Sequence, residues 1–176
     1  MTPAPDAAGA PARREAAYAV LRRVMDPEVP ALSVVDLGIV RDVEVAGDRV
    51  TVVVTPTYSG CPAMQVIERE IVDALTEAGL GEVTVRTVYW PAWTTEWISE
   101  EARERLRAYG IAPPGRVREE TTETLVTITA REAPHVPCPF CGSADTAMRS
   151  EFGSTACKAI HFCDACRQPF EEFKAI

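Results

Sequence analysis

Ile39-Val40-Arg41-Asp42-Val43-Glu44-Val45-Ala46-Gly47-Asp48-Arg49-Val50-Thr51-Val52-Val53-Val54-Thr55 reads as two strands around a turn. Ile39, Val43 and Val45 alternate loosely with Arg41, Asp42 and Glu44, the period of two that buries one face of a strand and wets the other. Val50 to Thr55 is β-branched throughout, and Gly47-Asp48 between the runs is a hairpin signal. Working outward, Ala17, Val20, Leu21 and Val24 recur at helical spacing, so Arg13 to Met25 is expected to be a helix that Asp26-Pro27 stops. An apolar-rich connection, Leu32 to Leu37, leads into the hairpin. Beyond it, Thr57-Tyr58-Ser59-Gly60-Cys61-Pro62 is a loop entering a helix over about Pro62 to Ala78, with Ile67, Ile71 and Leu75 on one face and Gly79 and Gly81 at its end. Glu82 to Trp90 alternates as a third strand, which Pro91 breaks. Thr94 or Ser99 caps a further helix with Ile98, Ala102, Leu106 and Tyr109 on one face. The order helix, strand, strand, helix, strand, helix predicts an α/β (α+β) domain, a small mixed sheet with packed helices.

Composition sets the outer limits. The 176 residues are 47% hydrophobic and 25% charged, the balance of a soluble globular chain. That excludes a disordered chain, a collagen and a coiled-coil rod. The net charge of −8 repels phosphate backbones, so nucleic acid is not expected as the partner. The strongest apolar run, around Val52 to Val54, falls far short of the roughly 18 residues a membrane helix needs. Residues 1–12 carry no basic start and apolar core of an export signal, so a cytoplasmic location is expected.

The division expected along the chain is a disordered Ala/Pro/Gly-rich tail over 1–12, the α/β domain over 13–115, a linker over 116–133 with a short strand at Leu125 to Thr129, and a Cys-rich module over 134–176. In that module Cys138-Pro139-Phe140-Cys141 and Cys163-Asp164-Ala165-Cys166 are two C-x2-C turns. Each lets two sulfurs reach one ion, and the pair supplies four thiolates in a tetrahedron, which suits zinc; iron is the other metal that spacing allows. A module of about 40 residues needs such help, because its own core is too small to hold it folded. Four basic residues against five acidic ones there leave no basic footprint for nucleic acid. Cys157 is the odd thiol, with His135 and His161 nearby. It is either a buried bystander or an extra ligand or transfer thiol.

Cys61 is the second point of chemical interest. With Pro62 as first helical residue, Cys61 would be the N-cap, facing unpaired N–H groups that favour a thiolate. Such a thiolate is a metal ligand and a nucleophile; the plainer reading is a small buried cap. No His lies within residues 1–134, so a Cys–His pair inside this domain is excluded. Trp90, Trp93 and Trp97 read as core or interface residues, with a docking surface as the second reading.

Two sets of motifs carry a resemblance. Asp26-Pro27-Glu28-Val29-Pro30, Leu32-Ser33-Val34-Val35-Asp36-Leu37-Gly38 and Gly60-Cys61-Pro62 resemble the metal–sulfur cluster assembly domain family. Pro91-Ala92-Trp93-Thr94-Thr95-Glu96-Trp97, Tyr109-Gly110-Ile111-Ala112-Pro113-Pro114 and Phe152-Gly153-Ser154-Thr155-Ala156-Cys157-Lys158-Ala159 are similar to the PaaD family of phenylacetyl-CoA 1,2-epoxidase systems, which joins that domain to a Cys-rich module. The resemblance covers about residues 13–176. It implies an accessory, non-catalytic protein of aerobic phenylacetate degradation that delivers iron or an iron–sulfur cluster to the oxygenase or its reductase. The alternative is a structural or docking component of the same system. It further implies Cys61 as the transfer thiol with Asp26 and Asp36 as its acidic companions, the four knuckle cysteines as a metal site, and other epoxidase subunits as partners. Whether the chain forms a homodimer stays open. Asp26 and Asp36 have a structural reading as well, as a helix stop and a cap on backbone N–H groups.

Overall fold

The computed structural model describes residues 9–115 and 135–176. The expected tail up to residue 8, nearly all of the linker and the strand at Leu125 to Thr129 lie outside the described residues. The chain divides into two units, residues 1–102 and 103–176.

In the first unit α1 spans Ala10–Leu21, with Pro11 in its first turn, where a missing N–H costs nothing. It therefore starts three residues earlier than the expected helix and takes in residues 10–12 of the expected tail. It stops at Leu21, short of Met25, where the Arg23 and Val24 N–H groups donate to the Val20 and Leu21 carbonyls instead. Ala17, Leu21 and Val24 of the expected apolar face are buried. β1 (Val40–Ala46) and β2 (Arg49–Val54) form the antiparallel hairpin, with an irregularity between Val40 and Asp42. α2 (Met64–Glu77) then crosses over to β3 (Glu82–Thr87), which pairs parallel with β2. The sheet order is β1-β2-β3. Val50, Val52 and Val54 of β2 and Ile67, Ile71 and Leu75 of α2 are all fully buried. Two periodicities, two and about 3.6, thus meet in one core.

β3 ends at Thr87 instead of running to Trp90, and the chain turns through a cis Trp90–Pro91 bond. Trp93 is buried and its indole N–H donates to the Leu37 carbonyl at 2.8 Å. Arg41 lies 3.3 Å over the Trp97 ring. Both expected caps are used: Thr94 on a short 3-10 turn over Thr95–Trp97 and Ser99 on α3 (Glu100–Tyr109).

The second unit is built on a four-stranded sheet of order β4-β7-β6-β5, from β4 (Ile111–Ala112), β5 (Thr146–Ser150), β6 (Lys158–Cys163) and β7 (Pro169–Phe173). β4 runs parallel to β7, so residues 103–115 group with the ribbon instead of with the first domain. The two prolines after Ala112 look like a boundary in the sequence. Two backbone pairs and the burial of Ala112 in the ribbon core outweigh that signal. Glu171 on β7 fastens the loop before β6. It accepts from the Ser154 N–H at 2.8 Å and pairs with the buried Lys158 at 3.0 Å. Burial alone would raise the Glu171 carboxyl, but these two donors more than offset it and hold it below its ordinary range.

Gly79 and Gly81 both have positive φ, but only Gly81 is enclosed. A Cβ there would lie 2.1 Å from the Asp48 carbonyl oxygen, whereas nothing stands within 4 Å at Gly79. Gly81→Ala is therefore expected to cost at least about 3 kcal/mol, against about 1 kcal/mol for Gly79→Ala. Chemical denaturation of the two variants checks the contrast; equal losses would mean the Gly81–Asp48 approach is not a constraint.

Candidate metal centre

Among the described residues, the four sulfurs of Cys138, Cys141, Cys163 and Cys166 are the group able to hold a metal ion, all within 4.8 Å of one another. Cys138 and Cys166 sulfurs are 3.7 Å apart and those of Cys141 and Cys163 3.6 Å. A tetrahedral zinc with Zn–S bonds of about 2.3 Å has sulfur–sulfur edges of about 3.8 Å, so the donor set fits that ion. Separations of this size also exclude disulfides, whose S–S bond is about 2.0 Å.

Two turns of the same design aim the thiols. In the first, the Cys138 N–H donates to the Ser143 carbonyl and the Gly142 N–H to the Cys138 carbonyl. In the second, the Cys163 N–H donates to the Gln168 carbonyl and the Arg167 N–H to the Cys163 carbonyl. The residue after each second cysteine is left-handed, Gly142 at φ +74° and Arg167 at φ +63°. Arg167 is the position sequence reasoning missed. Aligning the two C-x2-C turns places it opposite Gly142, and that was the available signal. Without metal, the Cys166 N–H stabilises the Cys163 thiolate, bringing its pKa down to about 7, while burial pushes Cys166 up to about 12. Cys138 and Cys163 belong to an apolar cluster with Ala112, Val136 and Phe170, so half of the four-cysteine set is also core.

The other thiol and the two histidines stand apart from this group. Cys157 is buried, 3.1 Å from the Thr155 hydroxyl. His161 is buried, stacks on Phe170 and meets Glu172 at 2.8 Å. His135 is exposed.

In the first unit Cys61 is half-buried and forms no disulfide. The N-cap of α2 is Ala63, not Cys61. A preceding turn, with the Met64 N–H donating to the Cys61 carbonyl, sets the thiol two residues ahead of the helix. Pro62 shapes that turn instead of opening the helix. Asp26 is buried, and one of its oxygens accepts the Glu28 and Val29 N–H groups at 2.8 and 2.7 Å. Asp36 accepts from the Ser33 N–H and hydroxyl, while the Ser33 hydroxyl accepts the Asp36 N–H. Both carboxylates thus brace the loop between α1 and β1, and they do not gather with Cys61 into a three-donor group. Thr55, read from the sequence only as a strand residue, heads the loop that ends in Cys61. Its buried hydroxyl has no hydrogen-bond partner among the described residues.

Comparison with known proteins places both units. Residues 14–88 match the family described as "Iron-sulfur cluster assembly protein" and residues 122–174 the "PaaD zinc beta ribbon domain". Over 167 residues the chain is 45% identical to an Escherichia coli (strain K12) protein whose name makes it a 1,2-phenylacetyl-CoA epoxidase subunit, covering 95% of this chain and 96% of that protein. The chain belongs to the PaaD family. Its first unit has wider relatives. It is 36% identical over 89 residues to the "Fe-S protein maturation auxiliary factor" of Porphyromonas gingivalis, covering 49% of this chain and 84% of that protein. The crystal structure of "Domain of Unknown Function DUF59" from Bacillus anthracis shares 31% identity at a TM-score of 0.54, covering 57% of this chain and 97% of that one. What distinguishes the PaaD family from these relatives is the second unit, and with it the four cysteines.

No helix among the described residues is long and apolar enough to cross a membrane.

The metal-free chain should take up one zinc, and each of Cys138→Ser, Cys141→Ser, Cys163→Ser and Cys166→Ser should lower that uptake. Zinc must displace the protons of Cys166 and Cys141, both raised above the ordinary thiol value, and below about pH 7 that of Cys163 as well, so affinity should fall throughout from about pH 8 to about pH 6 and more steeply below about pH 7. Competition against a chelating dye across that range measures it. Affinity that does not change with pH would mean the thiols are not the ligands.

Proposed function

We propose that this chain is an accessory, non-catalytic factor of a phenylacetyl-CoA epoxidase system that hands iron or an iron–sulfur cluster to the oxygenase or its reductase. The observation that carries this reading is the contrast between its two kinds of thiol. Four cysteines form a closed set suited to a resident zinc, and a closed tetrahedral site holds its ion and keeps no open position. Cys61 stands in a half-buried loop outside any such set, and an incomplete donor set is what a carrier needs in order to release its cargo. The names of the relatives support the same reading, one being an epoxidase subunit and the other an iron–sulfur maturation factor.

In this role Cys61 binds the cargo as a thiolate, giving up its proton, and a client ligand then replaces it without any change of redox state. Asp26 and Asp36 act by holding the loop between α1 and β1 in shape. The partners are the other epoxidase subunits, in the cytoplasm. The docking reading has its own support in Tyr89 and Trp90, 63% and 86% exposed. Aromatic side chains with that much surface in water are costly unless something covers them.

Cys61→Ala removes one half-buried sulfur, so stability should change by no more than about 1–2 kcal/mol and ribbon zinc should stay. The epoxidase produced beside this variant should contain less iron and turn over more slowly than with the wild-type chain. Full iron loading beside Cys61→Ala, with activity lost only when this chain is deleted, would favour the docking reading instead.

A further inference from the structure

β3 is the outer strand of its sheet: β2 covers one edge, and no described residue pairs with the other. In the β2–β3 pairing the Glu82 N–H donates to Asp48 and the Val88 N–H to Val54. The even-numbered residues therefore point their backbone groups at β2. The alternation of a strand turns those of Val83, Val85 and Thr87 to the open side. Natural edges are usually blunted by a proline, a lysine, a bulge or an inward-pointing charge. β3 reads Glu82-Val83-Thr84-Val85-Arg86-Thr87, its ladder with β2 has no register shift, and its charges lie on the exposed face.

We propose that this edge pairs antiparallel with the same edge of a second copy of the chain, centred on Thr84. The sequence of β3 is complementary to itself in that register. Glu82 faces the other copy's Arg86 and Arg86 faces its Glu82; Val83 faces Val85 in the same reciprocal way; Thr84 faces Thr84. Val83 and Val85 both turn their backbone groups outward, so they form the hydrogen-bonded pairs. The Thr84 pair is then non-hydrogen-bonded, with Cα atoms about 4.5 Å apart. A register centred on Val85 instead sets Arg86 against Thr84 and loses both charge pairs.

The exposed face of the sheet already carries the pattern that the pairing extends. Arg86 bonds Glu44 of β1, Arg49 of β2 bonds Glu82, and the hydroxyls of Thr51 and Thr84 meet at 3.1 Å. Across the two-fold axis these become continuous rows: Glu44, Arg86, Glu82, Arg49 in alternating charge, and four threonines in line. A closed two-fold contact of this kind makes a dimer and stops there. The same register carries Tyr89 and Trp90 past the end of the pairing toward the second copy's Gly79–Leu80 turn, which gives the most exposed tryptophan a place to be covered.

The test uses the full chain under reducing conditions, in sedimentation equilibrium across the micromolar range. The wild type should dimerise. Glu82→Arg alone and Arg86→Glu alone each set like charges opposite one another twice, so each should weaken the dimer about tenfold. The double variant should recover most of that loss. Mild oxidation of Thr84→Cys should give a thiol-reversible cross-linked dimer, while Thr51→Cys, one strand further in, should not. A wild-type monomer throughout, a dimer indifferent to both charge reversals, or cross-linking equal at positions 84 and 51 would overturn the proposal. Circular dichroism identifies a single variant that has lost its fold, and the double variant and Thr84→Cys then decide.

Discussion

Four sulfur atoms, all within 4.8 Å of one another, draw the two turns of the second unit together. Two of their separations, 3.6 and 3.7 Å between the two turns, fit the edges of a tetrahedral zinc site. The apolar cluster next to them is small, Ala112, Val136, Phe170 and two of the cysteines themselves, and Ile111, Ala159 and Phe173 add burial further along the sheet. A module of about 40 residues usually buries too little to offset the conformational entropy of its strands unaided. A metal at the four thiols would supply the difference and would hold the left-handed turn residues, including Arg167, where a side chain is disfavoured. The pairing of β4 with β7 and the fastening of the 153–158 loop by Glu171 build outward from that centre.

The first unit was legible because burial follows period. The β-branched run of β2 and the four-residue spacing of Ile67, Ile71 and Leu75 appear in the structure as the two faces of one core. Boundaries were less legible. α1 ends at Leu21 although its apolar pattern continues to Val24, because the Arg23 and Val24 N–H groups bond three residues back and the Val24 carbonyl accepts from the Val34 N–H. The gathering of the four cysteines was legible because thiol spacing is a local property. The grouping of Ile111-Ala112 with the ribbon was not, since a two-residue strand has no period and its partner lies 60 residues further on. Cys61 lies two residues further from the helix than its sequence suggests, because Pro62 suits a preceding turn as well as a first helical position.

One chain thus carries cysteines of opposite character. Two knuckle sulfurs are buried in a core and fixed by backbone hydrogen bonds on both sides. Cys61 sits where a loop meets a helix, with the buried hydroxyl of Thr55 at the loop's other end. In the proposed role the first set keeps its metal and the second gives its cargo away. The two duties need different coordination, because a full shell of thiolates resists ligand exchange and a lone thiolate invites it. The braces at Asp26 and Ser33–Asp36 belong to the same scheme: they hold a loop rich in prolines in one conformation at the cost of a few backbone hydrogen bonds.

The claim on which this account rests is that the four-cysteine metal, and not apolar burial, holds the second unit folded while the first stands without it. Amide proton–nitrogen correlation spectra of the full chain, recorded as zinc is removed stepwise by a chelator, test it most directly. The account predicts that resonances of residues 135–176 lose dispersion together as one equivalent of zinc leaves, while those of α1, α2 and the β1-β2-β3 sheet keep their positions. Dispersed resonances from β5, β6 and β7 in the zinc-free chain, or loss of both units together, would contradict it.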